Sequence, residues 1–288
     1  MRKPSAPAPA VASGDNARAV LARHGVLPKR HFSQNFLLDR GLCRRIAEYV
    51  APEGAFVIEV GAGLGALTEP LVERSREVVA IERDRDLVPA LTAELRPSID
   101  AGRLRIVEAD AKSFDYESEL ERAAPPRAVV GNLPYHLSGV LLETFVRLAP
   151  RLERAGALIQ LEVAARLVAP AGGDDYGALS VFTQAAYRVT RPLVVRRGAF
   201  FPQPGVDSAL VVFEPLPTPL AQETVRFREL VKAAFSQRRK KLKNAWSGVL
   251  TPPELARAAE RAGIDLDRRG ETLSVAEFAR MTAEADAR

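Results

Sequence analysis

Residues 55–68 read AFVIEVGAGLGALT, and this stretch decides the fold. Its apolar part, 55–60, predicts a buried strand, and the pattern that starts at Ala66 predicts a helix. Between them, the glycines of GAGLG (61–65) let backbone NH groups approach a ligand without interference from a Cβ atom. A strand, a glycine-rich turn and a helix in this order are typical of nucleoside-binding sites in α/β sheets.

The alternation of strands and helices continues along the chain. The predicted strands are 55–60, 77–82, 104–108, 128–132 and 157–161, and the helices between them include 66–75, 86–95 and 139–148. Such a βαβ series predicts a parallel sheet covered by helices on both faces, with its binding site at the carboxyl edge of the strands. Two later β-rich runs, 186–195 and 208–214, predict an antiparallel pair at one edge.

The composition is typical of a folded, water-soluble protein. Of the 288 residues, 47% are hydrophobic and 27% are charged. No apolar stretch reaches the roughly 18 residues of a membrane span, and no signal-peptide core is recognisable, so we expect a cytoplasmic protein that does not enter a membrane. We expect a flexible tail at 1–14, a main domain at 15–215 and a helical domain at 216–288, because the proline-rich EPLPT (214–218) is typical of a linker.

Charge is unevenly distributed along the chain. Lys and Arg outnumber Asp and Glu nine to two in residues 1–45 and 14 to ten in 222–288, whereas residues 46–221 hold 18 against 24. Basic ends indicate a polyanionic partner, with nucleic acid as the first candidate; the alternative is an arginine-rich composition without a specific role. The single Cys43 and three scattered histidines predict neither a disulfide nor a metal site.

Acidic residues follow the glycine turn at two further strand ends. Glu82 comes 21 residues after Gly61, and its carboxylate is placed to accept hydrogen bonds from the hydroxyls of a ribose. Asp110 follows the next strand, where it either accepts from an adenine amine or caps a turn. The pattern G-x-G-x-x-A also matches the dinucleotide fingerprint, so the turn by itself leaves NAD and S-adenosylmethionine open.

The tetrapeptide Asn132-Leu133-Pro134-Tyr135 follows the fourth predicted strand. The Asn132 side-chain oxygen and the Leu133 backbone carbonyl are suited to accept both NH bonds of an exocyclic adenine amine, with Pro134 orienting that carbonyl. Tyr135 is suited to stack on a target base drawn out of its helix. Methyl transfer from a sulfonium needs alignment more than a base, which agrees with the lack of a His or Cys dyad. The alternative is an ordinary Asn-x-Pro turn.

Several further motifs carry a family resemblance. They are SQNFL (33–37), EVGAGLG (59–65), IERD (81–84), DA (110–111), GNLPY (131–135), FFPQP with VDS (200–204 and 206–208) and FSQRRK (235–240). Together they resemble the rRNA adenine dimethylase family over about residues 27–280. The resemblance implies a Rossmann-like class I S-adenosylmethionine-dependent methyltransferase fold, α/β with a mostly parallel seven-stranded sheet, followed by a small C-terminal helical domain.

The resemblance also implies an activity and a set of site residues. The cofactor S-adenosyl-L-methionine would contact Gln34, Asn35, Leu37, Gly61, Gly63, Glu82, Asp110 and Asn132. Phe200 would form a second aromatic wall for the target adenine opposite Tyr135. The family adds two methyl groups to each of two adjacent adenines in the 3′-terminal hairpin loop of small-subunit (16S) RNA, within a nearly assembled particle. We expect the protein to act as a monomer.

Three positions depart from the family pattern. Ser33 replaces a usual Gly, His136 a usual Asn and Gly205 a usual Lys. His136 adjoins the expected target pocket, as a packing residue or as a donor to the RNA. Gly205 removes a positive charge near the expected RNA path.

The C-terminal part contains a basic segment suited to phosphate contacts. Its positive residues are Arg238, Arg239, Lys240, Lys241 and Lys243. We expect this segment to be helical and to bind RNA, although a purely structural basic helix is the alternative.

Three other functions are compatible with parts of this pattern. One is a macrolide-resistance methyltransferase that acts on large-subunit RNA; Leu133 and the QRRKK segment favour the small subunit. A second is a non-catalytic ribosome-assembly factor, against which the intact Asn132 and Tyr135 argue. A third is an NAD-dependent dehydrogenase, for which no acid or base for hydride transfer is found.

Overall fold

The computed structural model describes residues 17–29, 32, 34–236 and 240–287. Its strands are β1 (Phe36–Leu37), β2 (Phe56–Val60), β3 (Glu77–Glu82), β4 (Leu104–Glu108), β5 (Arg127–Asn132), β6 (Arg154–Gln160), β7 (Tyr187–Val195), β8 (Phe200–Phe201) and β9 (Ser208–Pro215). Within the described ranges, these strands form a seven-stranded sheet of order β4-β3-β2-β5-β6-β9-β7 and a small sheet in which β1 pairs with β8.

The predicted strands are confirmed, with small differences in their ends. Strands β2 to β6 pair in parallel, while β9 pairs antiparallel with both β6 and β7. The largest difference is at β6, which begins at Arg154 rather than at residue 157. The small residues Ala155 and Gly156 carry no β-branched or aromatic signal, yet both are completely enclosed in the sheet.

Helices cover both faces of the sheet. They are α1 (Ala17–His24), α2 (Arg40–Val50), α3 (Thr68–Arg74), α4 (Val88–Glu94), α5 (Arg96–Asp100), α6 (Tyr116–Glu121), α7 (Ser138–Leu148), α8 (Leu161–Val168) and α9 (Ala178–Ala186). Successive strand residues point to opposite faces, so Val57 packs with α2 and α3 whereas Ile58 packs with α6 and α7. The sheet therefore lies between two hydrophobic layers, which is the predicted doubly covered α/β architecture.

The helical C-terminal part shares its core with the main domain. Its helices are α10 (Val225–Ser236), α11 (Leu242–Ala245), α12 (Pro252–Ala262) and α13 (Val275–Asp286). Phe227 and Trp246 are buried in one cluster with Val181 and Phe182 of α9, and the Phe182 and Phe227 rings meet edge to face at 6.0 Å. The boundary near residue 215 stays a prediction, but hydrophobic contacts cross it, and Glu214 and Pro215 belong to β9 rather than to a linker.

The prediction that the basic segment is helical is wrong for Lys240 and Lys241. Helix α10 ends at Ser236, Arg238 and Arg239 lie outside the described residues, and Lys241 forms a β-bridge with Arg269 before α11 begins. The backbone NH groups of the segment bond to another loop instead of to an α10 turn: Leu242 donates to the Arg268 carbonyl at 2.8 Å.

In the described part of the chain, no helix combines the length and the apolar character needed to cross a bilayer.

Candidate active site

A cavity opens at the carboxyl ends of β2, β3, β4 and β5, where the sheet topology predicts ligand binding. Of the predicted site residues, it is lined by Gln34, Asn35, Leu37, Gly61, Gly63, Glu82, Asp110, Asn132, Leu133, Pro134 and Tyr135. The N-terminal segment, of which residues 29, 32 and 34–37 are described, closes one side of the cavity with Phe32, Gln34 and Asn35. Residues that are up to a hundred positions apart therefore converge on one site.

The glycine turn needs its glycines for conformation and for space. Gly61 and Gly63 have φ angles of 74° and 58°, in the left-handed region. A Cβ atom on Gly63 would lie 3.1 Å from the ring of Phe36, which lines the same cavity. The turn therefore keeps bare backbone beside the ligand space.

Glu82 lies at the end of β3 with its side chain 8% exposed. One carboxylate oxygen accepts a 2.8 Å hydrogen bond from the Gly63 NH, and the other accepts one of 2.7 Å from the Asp84 NH. Burial raises the pKa of Glu82, although both backbone donors favour the ionised form. Each oxygen has a second lone pair with which it can accept from a ribose hydroxyl.

Asn132 lies at the end of β5, and a hydrogen bond to a residue outside that strand fixes its side chain. Its amide nitrogen donates a 2.9 Å hydrogen bond to the backbone carbonyl of Asn35. With the NH₂ group engaged in this way, the side-chain oxygen is the acceptor that remains for a ligand. Behind it, the Leu133 NH donates to the Leu158 carbonyl at 3.1 Å, which fixes the start of the loop on β6.

Tyr135 begins a 3₁₀ turn and is half-buried at the cavity. Its hydroxyl lies 2.9 Å from the Ser208 hydroxyl at the start of β9. Burial raises the pKa of Tyr135, so the phenol is neutral at physiological pH. The next residue, His136, is exposed and also lines the cavity, as the tetrapeptide's position predicted.

The structure does not place Phe200 at the cavity. Phe200 pairs with Leu37 between β8 and β1, and its side chain is 2% exposed within the core beneath them. Neighbouring strand residues alternate in direction, so the more exposed ring is that of Phe201, which carries the Arg18 guanidinium 4.6 Å above it. In this structure the Phe200 ring therefore does not line the cavity opposite Tyr135.

Two acidic residues of the site were not identified from the sequence. Glu59, in the middle of the apolar run of β2, lines the cavity with 1% exposure, and its Oε2 atom has no hydrogen-bond partner among the described residues. Asp84, two residues after Glu82, anchors the N-terminal segment. A carboxylate inside a fully buried strand was the available signal for Glu59, because such a charge requires a partner.

The predicted RNA-binding lysines lie away from this cavity. Lys241 and Lys243 both form ion pairs with Asp267, at 3.2 and 2.8 Å, and hold its pKa below the ordinary value. All three side chains are about half exposed, and Lys240 beside them is exposed. Lys240, Lys241 and Lys243 form a basic surface at the start of α11 and just before it.

The sheet order and the cavity define the class I S-adenosylmethionine-dependent methyltransferase fold, and comparisons with known proteins agree. A Plasmodium falciparum dimethyladenosine transferase superposes with a TM-score of 0.72 at 21% identity, covering 85% of this chain and 95% of that one. The 23S rRNA methyltransferase ErmE superposes with a TM-score of 0.65 at 26% identity, covering 88% of this chain and all of that one.

Sequence comparisons identify the family. The family model for ribosomal RNA adenine dimethylase matches residues 27–287. Proteins named Ribosomal RNA small subunit methyltransferase A, from Anaeromyxobacter sp. (strain K) and Geobacter metallireducens, are each 42% identical to it; they cover 91% and 90% of this chain, which in turn covers 95% of each. The chain therefore belongs to the ribosomal RNA adenine dimethylase family. Membership resolves the ambiguity of the glycine pattern in favour of a methyltransferase over a dehydrogenase.

Proposed function

We propose that this protein dimethylates the N6 amines of two adjacent adenines in the 3′-terminal hairpin loop of small-subunit ribosomal RNA. The observation that carries the proposal is the placement of Asn132 and Tyr135 at the cavity, with the Asn132 amide oriented by Asn35. In this proposal the protein acts in the cytoplasm, as a monomer, on RNA within a small ribosomal particle late in assembly.

The cavity suits S-adenosylmethionine as the methyl donor. Glu82 would accept hydrogen bonds from the ribose hydroxyls, and Asp110 from the adenine amine. Asp110 lies 3.3 Å from the Arg83 guanidinium, which keeps it in place at the rim. The buried, unpartnered Oε2 of Glu59 fits a ligand that carries positive charge, and S-adenosylmethionine has both an ammonium and a sulfonium group.

When bound, S-adenosylmethionine supplies an electrophilic methyl group. The side-chain oxygen of Asn132 and the backbone carbonyl of Leu133 accept hydrogen bonds from the two NH groups of the target amine. These bonds turn the lone pair of the amine nitrogen toward that methyl group. Tyr135 stacks on the extruded base. A new N–C bond then forms as the S–C bond breaks, and the amine releases one proton to water. The neutral tyrosine and the amide need not change protonation state.

The basic surface supplies RNA affinity outside the cavity. Lys243 lies in α11, Lys240 and Lys241 lie just before it, and Arg238 and Arg239 precede them in the sequence. Phosphate contacts of this kind position an RNA without reading its bases, so the cavity selects the base and the basic surface adds affinity and orientation.

Small-subunit RNA is favoured over large-subunit RNA by the relatives. Those named for the small subunit reach 42% identity, whereas the ErmE structure, named for 23S RNA, is 26% identical.

The test is transfer of labelled methyl groups to unmodified small subunits and, in parallel, to protein-free large-subunit RNA, with dimethyladenosine measured by nucleoside analysis.

We expect label as dimethyladenosine only in the small subunit, and none in control subunits that already carry the modification. Label only in the large-subunit RNA would assign the protein to the resistance type. Binding of S-adenosylmethionine and of particles without any transfer would make it an assembly factor.

A further inference from the structure

Asp84 joins two parts of the cavity wall that are far apart in the sequence. It follows Glu82 at the end of β3, and its side chain is 2% exposed. Its Oδ1 atom lies 2.6 Å from Nζ of Lys29, and its Oδ2 atom accepts a 2.7 Å hydrogen bond from the side chain of Gln34. The carboxylate therefore binds the N-terminal segment at two points.

The same segment closes on itself around this contact. The Gln34 side-chain oxygen accepts a 2.7 Å hydrogen bond from the backbone NH of Lys29, so the side chain is held at both ends. Gln34 cannot rotate away without breaking both bonds. Its position sets that of Asn35, the next residue.

Asn35 carries the connection to the catalytic amide. Its backbone carbonyl accepts the 2.9 Å hydrogen bond from Asn132. On the other side, the Asp84 NH donates to Glu82 at 2.7 Å. Hydrogen bonds thus connect Glu82 through Asp84 to Gln34, and the peptide bond from Gln34 to Asn35 continues the connection to the carbonyl that orients Asn132.

Electrostatics keeps Asp84 in the form that this series requires. Burial alone would raise its pKa, but hydrogen bonds from Lys29 and Gln34 outweigh burial and hold the pKa below its ordinary value. Lys29 is held in its charged form by Asp84 and Asp86, which raise its pKa. The buried carboxylate is ionised and fully paired, so removing its charge leaves three donors, Lys29, Gln34 and the Asp86 NH, without an acceptor of equal strength.

We propose that Asp84 is a positioning residue that couples the cofactor-binding Glu82 to the catalytic Asn132 through the N-terminal segment. This proposal rests on the proposed function, because it assigns Asp84 an effect on cofactor affinity and on the transfer step. Asp84 lines no part of the cavity itself, and so it acts only through Glu82, Gln34 and Asn35.

The test compares Asp84→Asn and Lys29→Met with the control Asp86→Asn. Asp86 is exposed and shares Lys29 with Asp84 at 2.6 Å, but its carboxylate does not accept from Gln34 as that of Asp84 does. For each variant, four quantities are measured: the Kd of S-adenosylhomocysteine by calorimetry, the KM for S-adenosylmethionine and the kcat of methyl transfer to small subunits, and the Tm.

For Asp84→Asn we expect Kd and KM to rise about tenfold and kcat at saturating S-adenosylmethionine to fall about tenfold, since the charged acceptor of the hydrogen bonds from Lys29 and Gln34 is lost while the backbone NH that binds Glu82 remains. Lys29→Met keeps the Gln34 contact and should show smaller changes in the same directions. Lys29→Arg should recover most of the loss. Asp86→Asn should stay within about twofold of the wild type.

Wild-type Kd, KM and kcat in Asp84→Asn would overturn the proposal, and so would a lower Tm with unchanged kinetics. If Asp84→Asn does not fold, unchanged kinetics of Lys29→Met overturn it instead. A wild-type protein that binds S-adenosylhomocysteine but methylates nothing defeats the proposed function. In that case an unchanged Kd in Asp84→Asn would separately defeat the role of Asp84.

Discussion

The side-chain amide of Asn132 donates a 2.9 Å hydrogen bond to the backbone carbonyl of Asn35, across 97 positions of sequence. Asn132 ends a central strand, and Asn35 precedes the two-residue strand β1. Because the donor side of the amide is occupied, its oxygen is directed to the cavity without needing a ligand to orient it. Such preorganisation is what electrostatic catalysis requires, since no energy is spent on turning the dipole during the reaction.

Replacing Asn132 by Ala should therefore abolish transfer while leaving RNA binding intact. We expect kcat to fall on the order of 10²–10³-fold, the usual cost of removing one preorganised polar contact from a transition state. Single-turnover methylation of small subunits and filter binding of the same particles measure the two effects. The control is Asn244→Ala, which removes an exposed amide on α11 and should keep wild-type kcat. An active Asn132→Ala enzyme would contradict the assigned role.

Neutralising Lys240, Lys241 and Lys243 to Gln should weaken particle binding and reduce its dependence on salt. Each phosphate contact contributes about 0.7 to 0.9 to the slope of log K against log[salt], so losing three lysines should flatten the slope by about 2. This expected change in slope is smaller than three full phosphate contacts would give, because Asp267 already pairs with two of the three side chains.

The matched control removes three positive charges at the amino ends of the strands, opposite the carboxyl edge where the cavity opens. Arg96, Arg122 and Arg151 are exposed or nearly so, and they precede the amino ends of three strands. Changing them to Gln should leave the salt slope unchanged. Equal slopes for the lysine variant and the wild type would show that the basic surface does not contact RNA.

Much of this fold could be predicted because its signals are local. Each parallel strand is a short apolar run, and the glycine turn and the tetrapeptide Asn132 to Tyr135 directly follow such runs, so the edge at which they meet follows from topology alone. The contacts of Asp84 with Lys29 and Gln34 carry no local signal, because they join residues 50 or more positions apart.

The errors have the same origin. Phe200 belongs to a strand of only two residues, too short for a periodic pattern, and its burial depends on pairing with Leu37. Lys241 was expected to be helical as part of the basic segment, but its bridge to Arg269 determines its conformation. Tertiary contacts outweigh local preference at both positions.

Gly156 should not tolerate a side chain. It lies in β6, and a Cβ atom there would come within 2.1 Å of Val50 of α2, which is itself completely buried. Because a packed core resists extra volume, Gly156→Ala should lower the free energy of unfolding by about 1–3 kcal/mol. Urea denaturation measures this change. Gly139→Ala in the first turn of α7 meets nothing within 4 Å and should change stability by less than about 0.5 kcal/mol. Equal stability of the two variants would contradict the packing described.

Glu59 links stability and ligand binding to pH. Burial, assisted by the nearby charge of Glu82, raises its pKa to about 7. In the unfolded chain a glutamate has a pKa of roughly 4.3. The folded state therefore binds the additional proton between these values, and the stability contributed by this site is present below about pH 4.3 and is lost as pH rises through about 7.

Glu59→Gln should remove the dependence on pH of both the unfolding stability and the affinity for S-adenosylmethionine. At high pH the change should stabilise the ligand-free protein but weaken ligand binding. Above pH 7 the ligand-free variant should be more stable than the wild type by on the order of 3–4 kcal/mol, with the difference shrinking toward pH 5, as thermal unfolding across pH would measure. Wild-type affinity for S-adenosylmethionine should rise up to about tenfold between pH 6 and pH 8, because a cationic ligand binds the ionised carboxylate and expels its proton. The variant should bind more weakly at pH 8 and show a flatter profile in calorimetry. Equal pH profiles for the two proteins would mean that the cation does not bind at Glu59.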